Sequence, residues 1–274
     1  MAETHSNNYV LGRGRLYFDK FAAGTKTPTG ERYIGNTPEL SSSTSVDTLD
    51  HYSSDQGLKI KDESIMLSND LSLSFTTDDI SAENIALFFL GQVIKATVVG
   101  ALLEVEMLTV QRGLNYKLGV NDVTPQGTSN VTNVKVEIEV PPVLPATTPT
   151  YTDITAQGAG NFDLDLDRAK IFIEPSAPLI PNNTVLRITY DQVAGSTETI
   201  IGEGNVIAGA LRFEAANPVG EQSDYYWPYV KISPDGDYSL KGDDWQAIGF
   251  TAEVLLRDSA TKRVYITKVK PATP

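Results

Sequence analysis

Residues 248–256, "IGFTAEVLL", decide how this chain is read. Ile248, Phe250, Ala252, Val254 and Leu256 are separated by Gly249, Thr251, Glu253 and Leu255, so an extended chain puts all five on one face. The same alternation recurs at 71–76, where Leu71, Leu73 and Phe75 are separated by Ser72, Ser74 and Thr76. It recurs again at 134–140, where Val134, Val136, Ile138 and Val140 are separated by Lys135, Glu137 and Glu139. After the turn-like "RDSATK", Val264 and Ile266 continue it. Sheets with one buried face carry this signature, so a mainly β, antiparallel sandwich is expected.

One segment departs from period two. "DDISAENIALFFLG", residues 78–91, predicts a short helix over about 81–90, with Ser81 at the N-cap, Ile80 and Ile85 as a hydrophobic staple and Gly91 at the C-terminal cap. Ile85, Phe88 and Phe89 would pack this helix on a sheet. Ahead of it, "SSSTSVDTLDHYSSDQG", residues 41–57, reads as a long polar loop between two strands, with Val46, Leu49 and Tyr52 spaced along it. Unstructured connections of that length are uncommon and tend to be functional. Loops rich in Gly, Pro, Asn and Thr at 112–133 and 141–161 set the middle of the chain apart. The expected organisation is therefore a body built from 1–95 and 201–274, with 96–200 as an inserted β-rich region.

Composition narrows the chemistry. The chain has 274 residues, 41% of them hydrophobic, which is ample for a core, and it has no cysteine. Disulfides, thiol nucleophiles and cysteine zinc sites are excluded together. A net charge of −13 argues against binding nucleic acid through its phosphates. "MAETHSNNYV" has no basic segment followed by an apolar one, so no secretory signal is expected. The most apolar stretch, Ile85 to Leu103, is interrupted by Gln92 and Lys95, and a lysine in mid-membrane costs about 2.5–3.5 kcal/mol. A soluble protein is expected.

Candidate sites are few. In "DLDLDRAKIFIE", Asp163, Asp165, Asp167 and Glu174 fall at the first, third, fifth and twelfth places of a calcium loop. The sixth place, which calls for Gly, is Arg168. A strand accounts for the same residues by putting Phe162, Leu164 and Leu166 on one side and the aspartates on the other. His51 lies among Ser and Asp, yet neighbours along one loop do not arrange nucleophile, base and orienting acid. No G-x-S-x-G elbow is present, and "GRGR" at 12–15 lacks the rest of a phosphate loop. No catalytic residue, cofactor or enzyme activity is expected. Arg13 and Arg15 should face outward while Leu16 and Phe18 turn in.

The order of these features carries a resemblance. "LGRGRLYFDKF" leads to "ERYIGNTPELSSSTSVDTLDHYSSDQGLKIKDESIMLSNDLSLSFTTDDISAENIALFFLG", and "ISPDGDYSLKGDDWQAIGFTAEVLLRDSA" follows late in the chain. The sequence resembles the major tail tube protein family of long-tailed bacteriophages with non-contractile tails, most closely over 9–91 and again over about 201–268. The middle matches through "FDLDLDRAKIFIEP" and "NNTVLRITYDQ".

That resemblance implies a barrel-forming tail tube fold and a structural virion protein. Its subunits would form hexameric rings whose strands join in an inner β-barrel, and the rings would stack into a tube that conducts DNA to the host cell. It implies residues 41–57 as the inter-ring stacking loop, with Val46, Asp47, Leu49, Asp50, His51 and Tyr52 in contact, and an N-terminal arm contributing Asn7, Asn8 and Tyr9. Expected partners are copies of the chain itself and the tail tip, tape measure and tail terminator proteins. DNA would pass the lumen without specific binding, and no membrane would be involved. The protein would reside in the virion tail, and in the host cytoplasm during assembly. An acidic lumen wall would repel passing phosphates. The alternative is a β-sandwich that binds carbohydrate or a receptor through Tyr225, Tyr226, Trp227 and Tyr229, with calcium held by the acidic row.

Overall fold

The computed structural model describes residues 8–55 and 57–269. The protein is mainly β, with antiparallel sheets and one short α-helix. It divides into two compact units, one formed by the chain before residue 95 and after 198, the other by residues 95–198.

The first unit starts with strands β1 (Gly14–Phe21), β2 (Pro28–Tyr33), β3 (Glu39–Ser53) and β4 (Ile60–Thr77), followed by helix α1 (Ala82–Phe88). β5 (Gln92–Val98) leads into the second unit. There the strands are β6 (Ala101–Val110), β7 (Asn115–Lys117), β8 (Val131–Val140), β9 (Thr150–Asp153), β10 (Phe162–Asp165), β11 (Lys170–Ile173) and β12 (Thr184–Gln192). β13 (Gly195–Ile201) returns and pairs with β5, and β14 (Ile207–Ala215), β15 (Gln222–Asp235), β16 (Ile248–Val254) and β17 (Tyr265–Val269) complete the first unit.

The sheet of the first unit runs β2-β1-β14-β15-β16-β4-β3, with β17 beside the early half of β15. Alternation works here as the sequence suggests. Leu16 and Phe18 from β1, Leu73 and Phe75 from β4, and Ile248, Phe250, Ala252 and Val254 from β16 enter one buried cluster with Trp227, Val230 and Ile232 of β15. Phe75 and Phe250 are register partners with rings 5.2 Å apart. Each such side chain contributes about 1.5–3 kcal/mol by leaving water. Leu256 lies past the end of β16 and is exposed. The sheet order is open, so the expected barrel is not closed within one chain.

Helix α1 covers an edge of this core, although not with the face foreseen. Ala86 and Leu87 are buried and Ile85 and Phe88 are half-buried against the core, but Phe89 is exposed. Phe89 is the C-cap, where the chain has already begun to turn away. Leu90 adopts the left-handed conformation at φ 50°, donating to Leu87 O, while Gly91 N donates to Ala86 O. This is a Schellman ending with Leu in the place usually held by Gly. Gly91 is required for another reason: a Cβ there would lie 1.8 Å from Ile201 O. Ser81 holds the N-cap position, but its Oγ makes no cap bond.

In the second unit the sheets β6-β12-β8-β9 and β10-β11-β7 share one core containing Val136, Leu186 and Ile188 from the first and Ile171 and Ile173 from the second. This is a small sandwich. Lys135, Glu137 and Glu139 lie on β8, an inner strand flanked by β12 and β9. Glu137 is buried, accepting from Lys135 Nζ at 2.7 Å and from Arg187 Nη2 at 2.6 Å, and the Arg187 guanidinium lies 3.8 Å from the Tyr151 ring centre.

Candidate assembly interface

Most of the expected loop, residues 41–53, is strand. Ser41 to Ser53 lie in β3, which pairs with β4 along its whole length, from Glu39↔Thr76 to Ser53↔Ile60. β16 accompanies β4 only from Leu71 to Thr77. Beyond that point residues 45–53 and 60–70 form a two-stranded ribbon that leaves the sheet and extends about 30 Å at the usual rise of a strand. Both outer edges of the ribbon lack a strand partner among the described residues. Isolated two-stranded ribbons are at best marginal in water, and unpaired edges invite further strands.

Two bulges on β4 place its side chains. Register shifts between Asp47 and Thr48 and between His51 and Tyr52 leave Leu67 and Asp62 as extra residues on that strand. Val46, Thr48, Asp50 and Tyr52 then continue the face that buries Leu40 and Leu73, and Asp47, Leu49, His51 and Ser53 take the other. The expected apolar contacts are thus divided between two faces. Val46, Tyr52 and Met66 are exposed on one; Leu49, Ile65 and Ile60 are exposed on the other. A ribbon apolar on both faces can be covered only by neighbours on both sides.

Polar residues hold the ribbon in register. Asp50 accepts from Lys61 Nζ at 2.6 Å and from Ser64 Oγ at 2.7 Å, and those bonds hold its carboxyl below the ordinary value. On the opposite face His51 Nδ1 lies 2.6 Å from Asp62 Oδ1. Towards the sheet that second face becomes a field of hydroxyls, with Ser41, Ser43 and Ser45 opposite Ser74, Ser72 and Asp70 and then Thr251 and Glu253 on β16. Lysine and arginine are absent from it across β3, β4 and β16 between residues 39–47, 68–77 and 248–254.

The other expected site residues are not drawn together. Asn7 lies outside the described residues; Asn8 and Tyr9 are exposed, ahead of a bridge between Leu11 and Val219. Asp163 and Asp165 share a face of β10, but Asp167 belongs to the turn into β11 and Glu174 follows that strand. Asp165 accepts from Arg168 N at 2.9 Å and Arg168 Nη1 at 3.1 Å, the bonds of a hairpin turn, and they hold its carboxyl low. Among the described residues no three His, Asp or Glu are gathered to hold a metal. Tyr225 and Trp227 stack on each other at 5.8 Å beside a groove of about 1020 Å³, Trp227 is in the core, and Tyr229 stacks on Phe21 at 6.1 Å. Of the four rings only Trp227 is buried; Tyr225, Tyr226 and Tyr229 are half-buried, and Tyr226 lies 6.5 Å from the Tyr265 ring. Among the described residues no helix is long and apolar enough to cross a membrane.

Sequence reasoning missed the distal half of β4 and the turn before it, where Ile60, Ile65, Met66 and Leu67 on the strand and Leu58 in the turn are all exposed. The run Ile65-Met66-Leu67 breaks alternation and was the available signal of a bulge. It also missed Trp245, which projects from the β15–β16 loop.

These features define a two-unit, mainly β chain with a projecting ribbon that carries exposed apolar residues on both faces. The chain belongs to the family described as "protein of unknown function UCP028589", whose model matches residues 9–264. No curated protein matches it.

Proposed function

We propose that this is a structural protein that assembles with copies of itself, and that the assembly is the stacked-ring tail tube of a long-tailed bacteriophage with a non-contractile tail. The observation that carries the reading is the β3–β4 ribbon, which has unpaired edges and exposed apolar residues on both faces. Such an element gains its stability on contact, and a repeating assembly supplies that contact to every copy. The open sheet order supports the same reading, because strands from neighbouring chains can complete a barrel that one chain leaves open.

In this account the hydroxyl-rich face around Ser43 and Ser72 lines the lumen. It offers passing DNA neither a cation for phosphate nor an aromatic ring for a base, so DNA slides without being held. The protein then acts in the virion tail, beside tip, tape measure and terminator proteins, and no bond is made or broken by it. Sedimentation of the full chain over a range of concentrations tests the reading: reversible growth into large particles supports it, and a monomer at every concentration opposes it.

A further inference from the structure

We propose that the β15–β16 loop, residues 236–247, is the surface on which the ribbon tip of a second copy of this chain docks, end to end. The inference rests on the assembly reading above and names the receiving partner of the ribbon.

The chain has two tryptophans with opposite fates: Trp227 is 4% exposed and Trp245 is 97% exposed. A bare indole presents more apolar area than any other side chain, and Trp is enriched among residues that dominate binding energy. Leu240 in the same loop is also exposed, as is Phe89 at the end of α1. The loop is held in place. Tyr238 meets the Phe88 ring edge-on at 5.8 Å and donates to Gln246 Oε1 at 3.2 Å, and Gln246 Nε2 donates to Ser239 O at 3.0 Å. Phe88 in turn contacts Phe89 at 5.3 Å. Trp245 therefore stands on an ordered support next to a fixed Gln246, which lowers the entropic cost of docking.

Strand register places this patch. Ile248 pairs with Thr77 and Val254 with Leu71, so the loop before β16 lies at the Thr77 end of β4. The ribbon leaves from the Leu71 end and runs the other way. Receiver and projecting element thus occupy opposite ends of one sheet, the arrangement that generates an open stack when one copy meets the next.

The chemistry matches locally as well. Asp243 and Asp244 precede Trp245, and Leu58, Lys59 and Ile60 lie at the ribbon tip. Lys59, Asp243 and Asp244 have no ion-pair partner among the described residues. Leu58 and Ile60 can cover the Trp245–Leu240 surface while the Lys59 ammonium meets the two carboxylates or the indole face.

Because the chain has no cysteine, a paired Leu58→Cys and Leu240→Cys variant gives a clean test. Purified at high concentration and oxidised, it should yield a ladder of covalent oligomers whose bonds join 58 of one copy to 240 of another. Trp245→Ala should leave the monomer's melting temperature unchanged and remove long tubes, and in wild-type tubes acrylamide quenching of the exposed indole should fall severalfold. Tubes that form without 58–240 bonds, with 240–240 bonds instead, or with Trp245 still quenched as in the monomer would overturn the docking assignment and leave the stacking reading standing. Absence of both tubes and ladder would overturn the two together.

Discussion

Leu49 and Ile65 face each other across the β3–β4 ladder at 59% and 57% exposure, on the side of the ribbon opposite the Asp50–Lys61 ion pair. An apolar cross-strand pair contributes under about 1 kcal/mol to a ribbon. Covered by a neighbour, the same two side chains would each remove far more apolar surface from water. On the proposed assembly their worth lies in contact between copies, and the separation of folding from assembly can be measured.

Leu49→Ser combined with Ile65→Ser should change monomer stability by less than about 0.5 kcal/mol, as surface substitutions do. The same variant should fail to form tubes. Thermal unfolding alongside light scattering reads both, and a double variant that polymerises like wild type would show that this face of the ribbon is not an interface.

Removing the ribbon has to respect its register. Deleting residues 44–54 alone would strip β4 of its partner strand, whereas replacing 46–69 with Asn-Gly joins Ser45 to Asp70, which already face each other. The shortened protein should fold and stay monomeric, with a melting temperature at or slightly above that of the full chain. Continued assembly measured by sedimentation would count against the ribbon.

Lysine at two facing positions of the hydroxyl field, Ser43→Lys with Ser72→Lys, should leave assembly intact and make the product retain duplex DNA. Retention should weaken steeply with salt, as phosphate contacts do. Electrophoretic retardation at low and high salt checks this, with the wild-type assembly binding no DNA at either. Assembled product that still ignores DNA would remove this face from the lumen.

Glu137 supplies a prediction about the second unit. Burial pushes its carboxyl up, but hydrogen bonds from Lys135 and Arg187 outweigh that and hold it below the ordinary 4.5. A carboxyl lowered by folding contributes stability that is complete above 4.5 and is lost as the pH falls through the lowered value. Glu137→Gln should cost about 1–3 kcal/mol near neutral pH. It should also flatten the loss of stability on acidification, which calorimetry at several pH values would resolve. An unchanged acid limb would mean that Glu137 does not govern it.

Much of the fold is legible because burial on one face writes period two into the chain, as at Leu71–Leu73–Phe75 and Ile248–Phe250–Ala252–Val254. The ribbon is illegible for the same reason. With water on both faces of residues 45–53, nothing selects alternation, and "SSSTSVDTLDHYSSDQG" looks like a loop although every residue from Ser41 to Ser53 has a partner on β4. Glu137 looks like an exposed charge because its partner Arg187 is 50 residues away and only the β8–β12 register brings them together. Phe89 fits the helical period but falls on the cap residue, where the period stops applying. The apolar content of the candidate interface was visible at Val46, Leu49 and Tyr52. Its division between two faces required the bulges at Leu67 and Asp62.

Electron microscopy of the purified full chain at high concentration, beside the 46–69 replacement, tests the central claim most directly. The account predicts stacked rings or tubes with a regular axial repeat from the full chain and none from the shortened one. A full chain that stays monomeric, or a shortened chain that builds the same tubes, would contradict it.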